Sequence, residues 1–420
     1  MIRKKFLRSG LVVAALLGCQ PDAKHDVPSS GDGGDTSDGG VVHPNDINDA
    51  GLPDSGPLPP PKFRAVYAGG SHTCGLTAGG GMMCWGLNDR GQLGDNSTTD
   101  RHLPVDVIGL TAGVIAVATG DNHTCAIKGS VLLCWGAGDS GKLGDSTTAD
   151  HAVPVSLLGL SGATEISAGE NHTCATTSVG GVKCWGFNHD GQIGDGTSGA
   201  DFPPGTPQER DVPVDVVGLA LVTSVAAGEW NSCAVANGGA KCWGENGFGQ
   251  LGNNSSLRSA VPVDVVGLLS GVTAMAMSPL GSHRACATTT RGVECWGENR
   301  AGELGNNTTT PSAVPVDVAE LTSGVTALVM GASHACVLVG GRVRCWGANE
   351  SGQLGDNSTA NSFIPVAAVG VTAATAIAAG SAHSCAVTSQ GDVRCWGSNA
   401  FGQLGDNTTV DHPVPSDIQF

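Results

Sequence analysis

The stretch His72-Thr73-Cys74, followed by Cys84-Trp85-Gly86-Leu87-Asn88-Asp89-Arg90-Gly91-Gln92-Leu93-Gly94-Asp95, decides how this chain is read. Its cysteine pair and tryptophan return at Cys125 and Cys134-Trp135, Cys174 and Cys184-Trp185, and Cys233 and Cys242-Trp243. They return again at Cys286 and Cys295-Trp296, Cys336 and Cys345-Trp346, and Cys385 and Cys395-Trp396. Successive second cysteines are 50, 50, 58, 53, 50 and 50 residues apart. Seven copies at a nearly fixed period indicate a repeat architecture in which each copy is one supersecondary unit.

Each repeat reads as four short segments. The first is Ala-rich and ends at Gly, as in Val114-Ile115-Ala116-Val117-Ala118; the second and third alternate, as in His123-Thr124-Cys125-Ala126-Ile127 and Val393-Arg394-Cys395-Trp396-Gly397. The fourth contains proline, as in Val261-Pro262-Val263-Asp264-Val265. Small side chains suit strands crowded round an axis, and proline suits an outer edge where a missing N–H breaks no ladder. The expected fold is therefore all-β, a seven-bladed β-propeller of four-stranded antiparallel blades ordered from axis to rim as Ala-rich, His-Cys, Cys-Trp and Pro-Val. The sequence leaves open whether the Pro-Val strand belongs to its own blade or to its neighbour, and so how the ring closes.

Bulk composition agrees. The 420 residues hold 65 glycines, one tyrosine and only 14% charged residues, which fits many short strands and tight turns. A net charge of −17 disfavours phosphate neutralisation, so no nucleic-acid partner is expected. Residues 1–19 carry Arg3, Lys4, Lys5 and Arg8, then an apolar run Leu11 to Leu17, then Gly18-Cys19. This is the layout of a secretory signal too short to span a bilayer. Leu16-Leu17-Gly18-Cys19 resembles a bacterial lipobox, which implies lipidation of Cys19 and a membrane attachment through that anchor alone. Residues 20–64 are Asp, Gly, Ser and Pro with almost nothing to bury and read as a disordered linker. Their Asp32, Asp35 and Asp38 do not reproduce an EF-hand loop. The propeller is expected over 65–420.

Fourteen of the 15 cysteines fall in the repeat pairs. On adjacent antiparallel strands joined by a Gly-rich turn, such as Gly79-Gly80-Gly81, a pair at this spacing can face across the ladder, and an oxidising compartment would close seven intrablade disulfides. Each closes a short loop, worth about 2–3 kcal/mol at most. The competing reading is zinc, with His72, Cys74 and Cys84 as ligands and equivalents at His123, His172, His334 and His383. Asn231 and Arg284 stand at that position in the fourth and fifth repeats while the cysteines persist, so disulfides are favoured and no metal or cofactor is expected. The histidines are assigned to turn hydrogen bonds. Trp85 and its equivalents point away from the cysteines and are assigned to the wedge between blades rather than to carbohydrate stacking. Gly-Gln-Leu-Gly-Asp-Asn lacks the helix and lysine of a phosphate loop and reads as a turn with Asn/Asp caps.

The combination Ala-Ala-Gly-x-x-His-x-Cys-Ala with Cys-Trp-Gly-x-Asn-x-x-Gly-Gln-Leu-Gly resembles the regulator of chromosome condensation repeat over residues 65–420. The resemblance implies a seven-bladed propeller. It also implies, as one functional alternative, a nucleotide-exchange regulator of a small GTPase, which sits poorly with an exported, acidic, cysteine-rich chain.

Function is sought where the copies differ. Strand alternation puts the loops from segment one to two and from three to four on one face. The insertion at 198–210 with Phe202 and Arg210, the extra-repeat Trp230, Leu280 and Arg284 in the fifth repeat, and Phe248 and Phe401 in other long loops are expected to supply an aromatic, Arg-containing binding patch. The leading expectation is a non-enzymatic, monomeric, cell-surface or secreted propeller that binds an extracellular or cell-surface protein or ligand. An extracellular lyase or hydrolase is the alternative, although no His–carboxylate constellation stands out from the sequence.

Overall fold

The computed structural model describes residues 59–420 apart from 158, 159, 161, 200–207 and 282. Cys19, the signal-like segment, the polar stretch up to residue 58 and Phe202 lie outside the described residues. In the first blade β1 (Phe63–Ala68), β2 (His72–Thr77), β3 (Met82–Gly86) and β4 (Arg101–Asp106) pair antiparallel in chain order. Six further four-stranded sheets, within 114–156, 163–215, 222–264, 272–317, 325–367 and 374–417, repeat that order. Neighbouring Ala-rich first strands touch one another round the ring. The proline strands, with Pro104, Pro154, Pro213, Pro262, Pro315, Pro365 and Pro415, form the outer edges, where they leave no inner ladder broken.

The proline strand stays in its own blade, so one repeat is one blade and no strand is shared across the closure. Blades 1 and 7 meet instead through side chains and single backbone bonds. Phe63 N–H donates to Gly391 O at 2.8 Å, Phe63 stacks on Phe420 at 6.1 Å between centroids, and Lys62 pairs with Asp392 at 2.6 Å.

Each cysteine pair sits directly opposite in the register, Cys74 against Cys84 for example, and all seven pairs are joined as disulfides with Cα atoms 4.0–4.1 Å apart. Because side chains alternate along a strand, Trp85 leaves the other face of its blade. Each of the seven apolar clusters accordingly contains the disulfide of one blade and the tryptophan of the next. Cys74–Cys84 packs with Trp135, and the ring ends with Cys385–Cys395 packed against Trp85. All seven repeat tryptophans are fully buried, a burial worth a few kcal/mol each.

The Gly-Gln-Leu-Gly loop does more than turn. Gln92 carbonyl accepts Trp135 Nε1–H at 3.0 Å and Thr124 Oγ1–H at 2.9 Å, both from the next blade. Gly94, at φ 72°, must be glycine, since a Cβ there would lie 2.7 Å from Trp135 Nε1. Within the loop Asn88 acts as the expected cap: its Oδ1 accepts Leu93 N–H, and its Nδ2 donates to the carbonyls of Ser97 and Thr99.

The histidines correct the expectation of local turn bonds. His72 Nε2 lies 2.9 Å from Thr124 Oγ1 of the following blade. The Thr124 hydroxyl spends its one proton on Gln92 O, so it accepts from His72 Nε2–H, which fixes the tautomer. The same interblade pairs are His123 with Thr173, His172 with Ser232, His334 with Ser384 and, across the closure, His383 with Thr73. Burial holds these imidazoles neutral, His72 down at about 4 and His172, His334 and His383 at about 3. The two exceptions obey the same logic. Where histidine becomes Asn231 or Arg284, the partner on the next blade becomes Ala285 or Ala335, so the loss of the imidazole is matched by the loss of the hydroxyl that accepts from it.

Candidate binding face on blades 4 and 5

In most blades three steps separate the Gly that ends the first strand from the buried His, as from Gly69 to His72, and a Cβ on Gly69 would meet His72 Cε1 at 2.3 Å. Blade 5 replaces both partners. Ser278 stands in the glycine's place, Arg284 in the histidine's, and six steps separate them. Ser278 Oγ donates to Leu280 O at 2.8 Å or Gly331 O at 2.9 Å. Arg284 Nη2 donates to the carbonyls of Gly331, Ala332 and His334 at 2.9–3.1 Å. The longer loop carries His283 onto the face of the disc.

There His283 becomes the hub of a cluster. The Phe248 ring lies parallel to the imidazole with centroids 4.6 Å apart, and Trp230 stands 5.9 Å away. Arg300 rests over Phe248, 5.9 Å from its centroid, and donates from Nε to Glu298 at 3.0 Å. His283 Nδ1 lies 3.8 Å from Glu229 Oε2 and 3.6 Å from Glu245 Oε2, beyond hydrogen-bond distance, and both oxygens are buried without a hydrogen-bond partner. Burial, then the neighbouring Glu170 carboxyl, pushes Glu229 up to about 7, and burial also raises Glu245. Asp121 is raised to about 6, by burial first and then by Glu170. Asp121, Glu170 and Glu229 thus hold the same repeat position on blades 2 to 4, with the buried Lys142 ammonium close to Asp121.

Trp230 and Phe248 are each 37% exposed, although the other seven tryptophans are buried, and the structure brings these two together through His283. The remaining candidates separate. Arg284 is 1% exposed and presents no group to a partner; its charge is used to cap carbonyls of blade 6. Arg210 lies half-buried on the outer strand of blade 3, paired with Asp195 at 2.8 Å within its own loop. Leu280 is half-buried, and Phe401, 38% exposed, stands on blade 7, three blades from Phe248.

The sequence reading missed His283, Glu229, Glu245 and Arg300. Blades 4 and 5 bring His283 within 3.6–3.8 Å of Glu245 and Glu229, a juxtaposition between repeats that no spacing within one repeat reports. The available signal was the lengthened step from Ser278 to Arg284. Among the described residues no group of His, Cys, Asp and Glu is placed to hold a metal ion, and no helix is long and apolar enough to cross a membrane.

Seven stapled blades with an irregular, partly apolar face define a repeat propeller. A family model of the Regulator of chromosome condensation (RCC1) repeat matches residues 80–127, 130–176, 180–235, 295–338, 340–387 and 390–420, and a second model of that repeat matches 63–92, 163–192, 222–250, 325–353 and 374–403. The first spans more than half of the chain, which belongs to the RCC1 repeat family. Curated relatives include a human protein described as probable E3 ubiquitin-protein ligase HERC3, 38% identical over 66 residues, covering 16% of this chain and 6% of that protein. The ultraviolet-B receptor UVR8 of Arabidopsis thaliana is 34% identical over 73 residues, 17% of each chain. The chain thus spans less than a fifth of the length of these relatives. Among solved structures, Prp20p of Saccharomyces cerevisiae superposes with a TM-score of 0.68 at 22% identity, over 80% of this chain and 85% of that one. Human WBSCR16 gives 0.64 at 22% identity, over 76% and 85%.

Proposed function

We propose that the chain is an exported, non-enzymatic binding propeller, tethered by lipidated Cys19 and the polar segment 20–61, whose face on blades 4 and 5 grips a protein outside the cell as a monomer. The observation that carries the reading is the pair Trp230 and Phe248, left exposed around His283 where the Gly–His step of the repeat is rebuilt. Aromatic anchors flanked by charge are the residues that dominate protein interfaces. Seven disulfides support export to an oxidising compartment. Prp20p, of the same fold, is a protein described with binding properties to Gsp1p and histones, which supports protein recognition as the use of the scaffold. The test is capture from cell-surface extracts with the purified chain, compared with Trp230→Ala/Phe248→Ala; equal capture by both overturns the assignment of the face. Sensitivity of membrane association to globomycin tests the anchor.

A second reading, an extracellular hydrolase or lyase, draws on the approach of His283 to Glu229 and Glu245. It ranks below binding because Phe248 lies flat on the imidazole and both carboxylates stand outside hydrogen-bond reach of Nδ1. Hydrolysis of a broad ester or glycan panel that is lost in His283→Ala would promote it.

A further inference from the structure

Two repeat positions turn acidic on this face, and they intersect at one corner. The residue two places before the buried His position is Gly70, Asp121, Glu170, Glu229, Ala332 and Ser381 in blades 1 to 4, 6 and 7. The residue after Cys-Trp-Gly is Leu87, Ala137, Phe187, Glu245, Glu298, Ala348 and Ser398 in blades 1 to 7. The turns need no carboxylate at either place, since three of the six blades named for the first position and five of seven for the second form them without one. Only blade 4 is acidic at both, and there Glu229 and Glu245 converge on the same imidazole.

Resting on the binding reading above, we propose that Glu229 and Glu245, framed by Trp230 and Phe248, receive a lysine or arginine side chain of the partner protein. Each carboxylate has a buried oxygen without a hydrogen-bond partner, which is a large cost unless a donor arrives. Beside them the partly exposed Trp230 offers a ring that attracts cations, while Phe248 is already stacked on His283 and covered by Arg300. The chain already displays that chemistry, because its own Arg300 guanidinium lies over Phe248 while bonded to Glu298. The guest is a basic segment rather than a single ammonium ion, because Glu170 and Asp121 occupy the position of Glu229 on the two preceding blades.

The experiment uses the full chain and labelled hexa-arginine and hexalysine peptides, with hexaglutamine as the neutral comparison, followed by anisotropy and by Trp230 fluorescence. Glu229→Gln/Glu245→Gln is expected to weaken binding of the basic peptides by at least about tenfold, the equivalent of one charge-assisted hydrogen bond. Asp106→Asn/Asp317→Asn removes two carboxylates at exposed outer-strand residues and is expected to alter affinity by less than about twofold, as screened distant charges should. Trp230→Ala is the second variant, expected to weaken binding without changing the charge, and circular dichroism checks that each variant is folded. Equal losses in the two double variants, or no binding of either basic peptide at low salt, overturn the proposal. Spermidine competing as well as hexa-arginine would overturn the assignment to a protein segment. Surface-extract capture that is lost in Trp230→Ala/Phe248→Ala but kept in Glu229→Gln/Glu245→Gln overturns the cationic guest and leaves the binding face standing; capture indifferent to both removes the face itself.

Discussion

Thr124→Val tests the interblade relay at a single atom. The hydroxyl of Thr124 accepts from His72 Nε2–H and donates to Gln92 O, and all three groups are buried. Valine keeps the shape and removes the hydroxyl. Gln92 O retains Trp135 Nε1–H at 3.0 Å, so the principal loss is one orphaned imidazole donor, worth about 2 kcal/mol. Unfolding entropy near 2.1 cal/mol/K per residue, over roughly 350 ordered residues, converts this to a fall of about 3 °C in melting temperature. Thr124→Ser keeps the hydroxyl, as Ser232 and Ser384 do naturally, and should fall by about 1 °C through loss of a methyl group. The seven buried tryptophans report both transitions by fluorescence. The pairing of Asn231 with Ala285 adds a sharper condition: Thr124→Ala together with His72→Asn should cost about 1–2 kcal/mol less than the two single changes summed. A valine variant that melts no lower than the serine variant, or strict additivity in the double, would refute the relay.

Cys233→Ala/Cys242→Ala opens a loop with a sequence separation of 9 and should lower stability by about 3 kcal/mol in denaturant titration of the oxidised protein. Glu229→Gln removes a carboxylate whose folded value, about 7, exceeds its unfolded one, so wild-type Glu229 binds its proton more tightly when folded and its ionisation opposes folding as pH rises from about 4.5 to 7. The Gln variant should therefore melt higher than wild type at pH 8, with the gap closing by pH 4.5. Arg284→Met leaves the carbonyls of Gly331, Ala332 and His334 short of a donor and should cost about 3 kcal/mol by denaturant titration, without weakening capture of a partner.

The fold was legible because it is written seven times. Period gave the blade count, residue size and proline gave the strand order, and alternation put cysteine and tryptophan on opposite faces, all local rules that need no knowledge of distant contacts. What the wedge is made of was less visible. That Cys74–Cys84 meets Trp135 of the next repeat depends on the angle between blades, which no spacing within one repeat reports. The histidine partners were hidden for the same reason, since His72 and Thr124 lie 52 residues apart. Their signature was nevertheless present as a correlation: Asn231 with Ala285 and Arg284 with Ala335, each one repeat apart.

That correlation also accounts for where the candidate site lies. The relay is broken at two consecutive interfaces, between blades 4 and 5 and between blades 5 and 6, and the longer Ser278-to-Arg284 loop occupies the blade between them. At the first break Asn231 Nδ2 is buried without a partner, and at the second a buried guanidinium replaces a neutral ring. Both are poorer solutions than the His–Thr pair used elsewhere, and repeats that serve only stability have no physical reason to adopt them. Abandoning the Gly–His contact at Ser278 is what makes room for a longer loop, and that loop is what lifts His283 between Phe248 and Trp230. Arg284 breaks the repeat pattern without being a surface group: it holds the rebuilt loop against blade 6, one residue away from His283, the side chain that reaches the face.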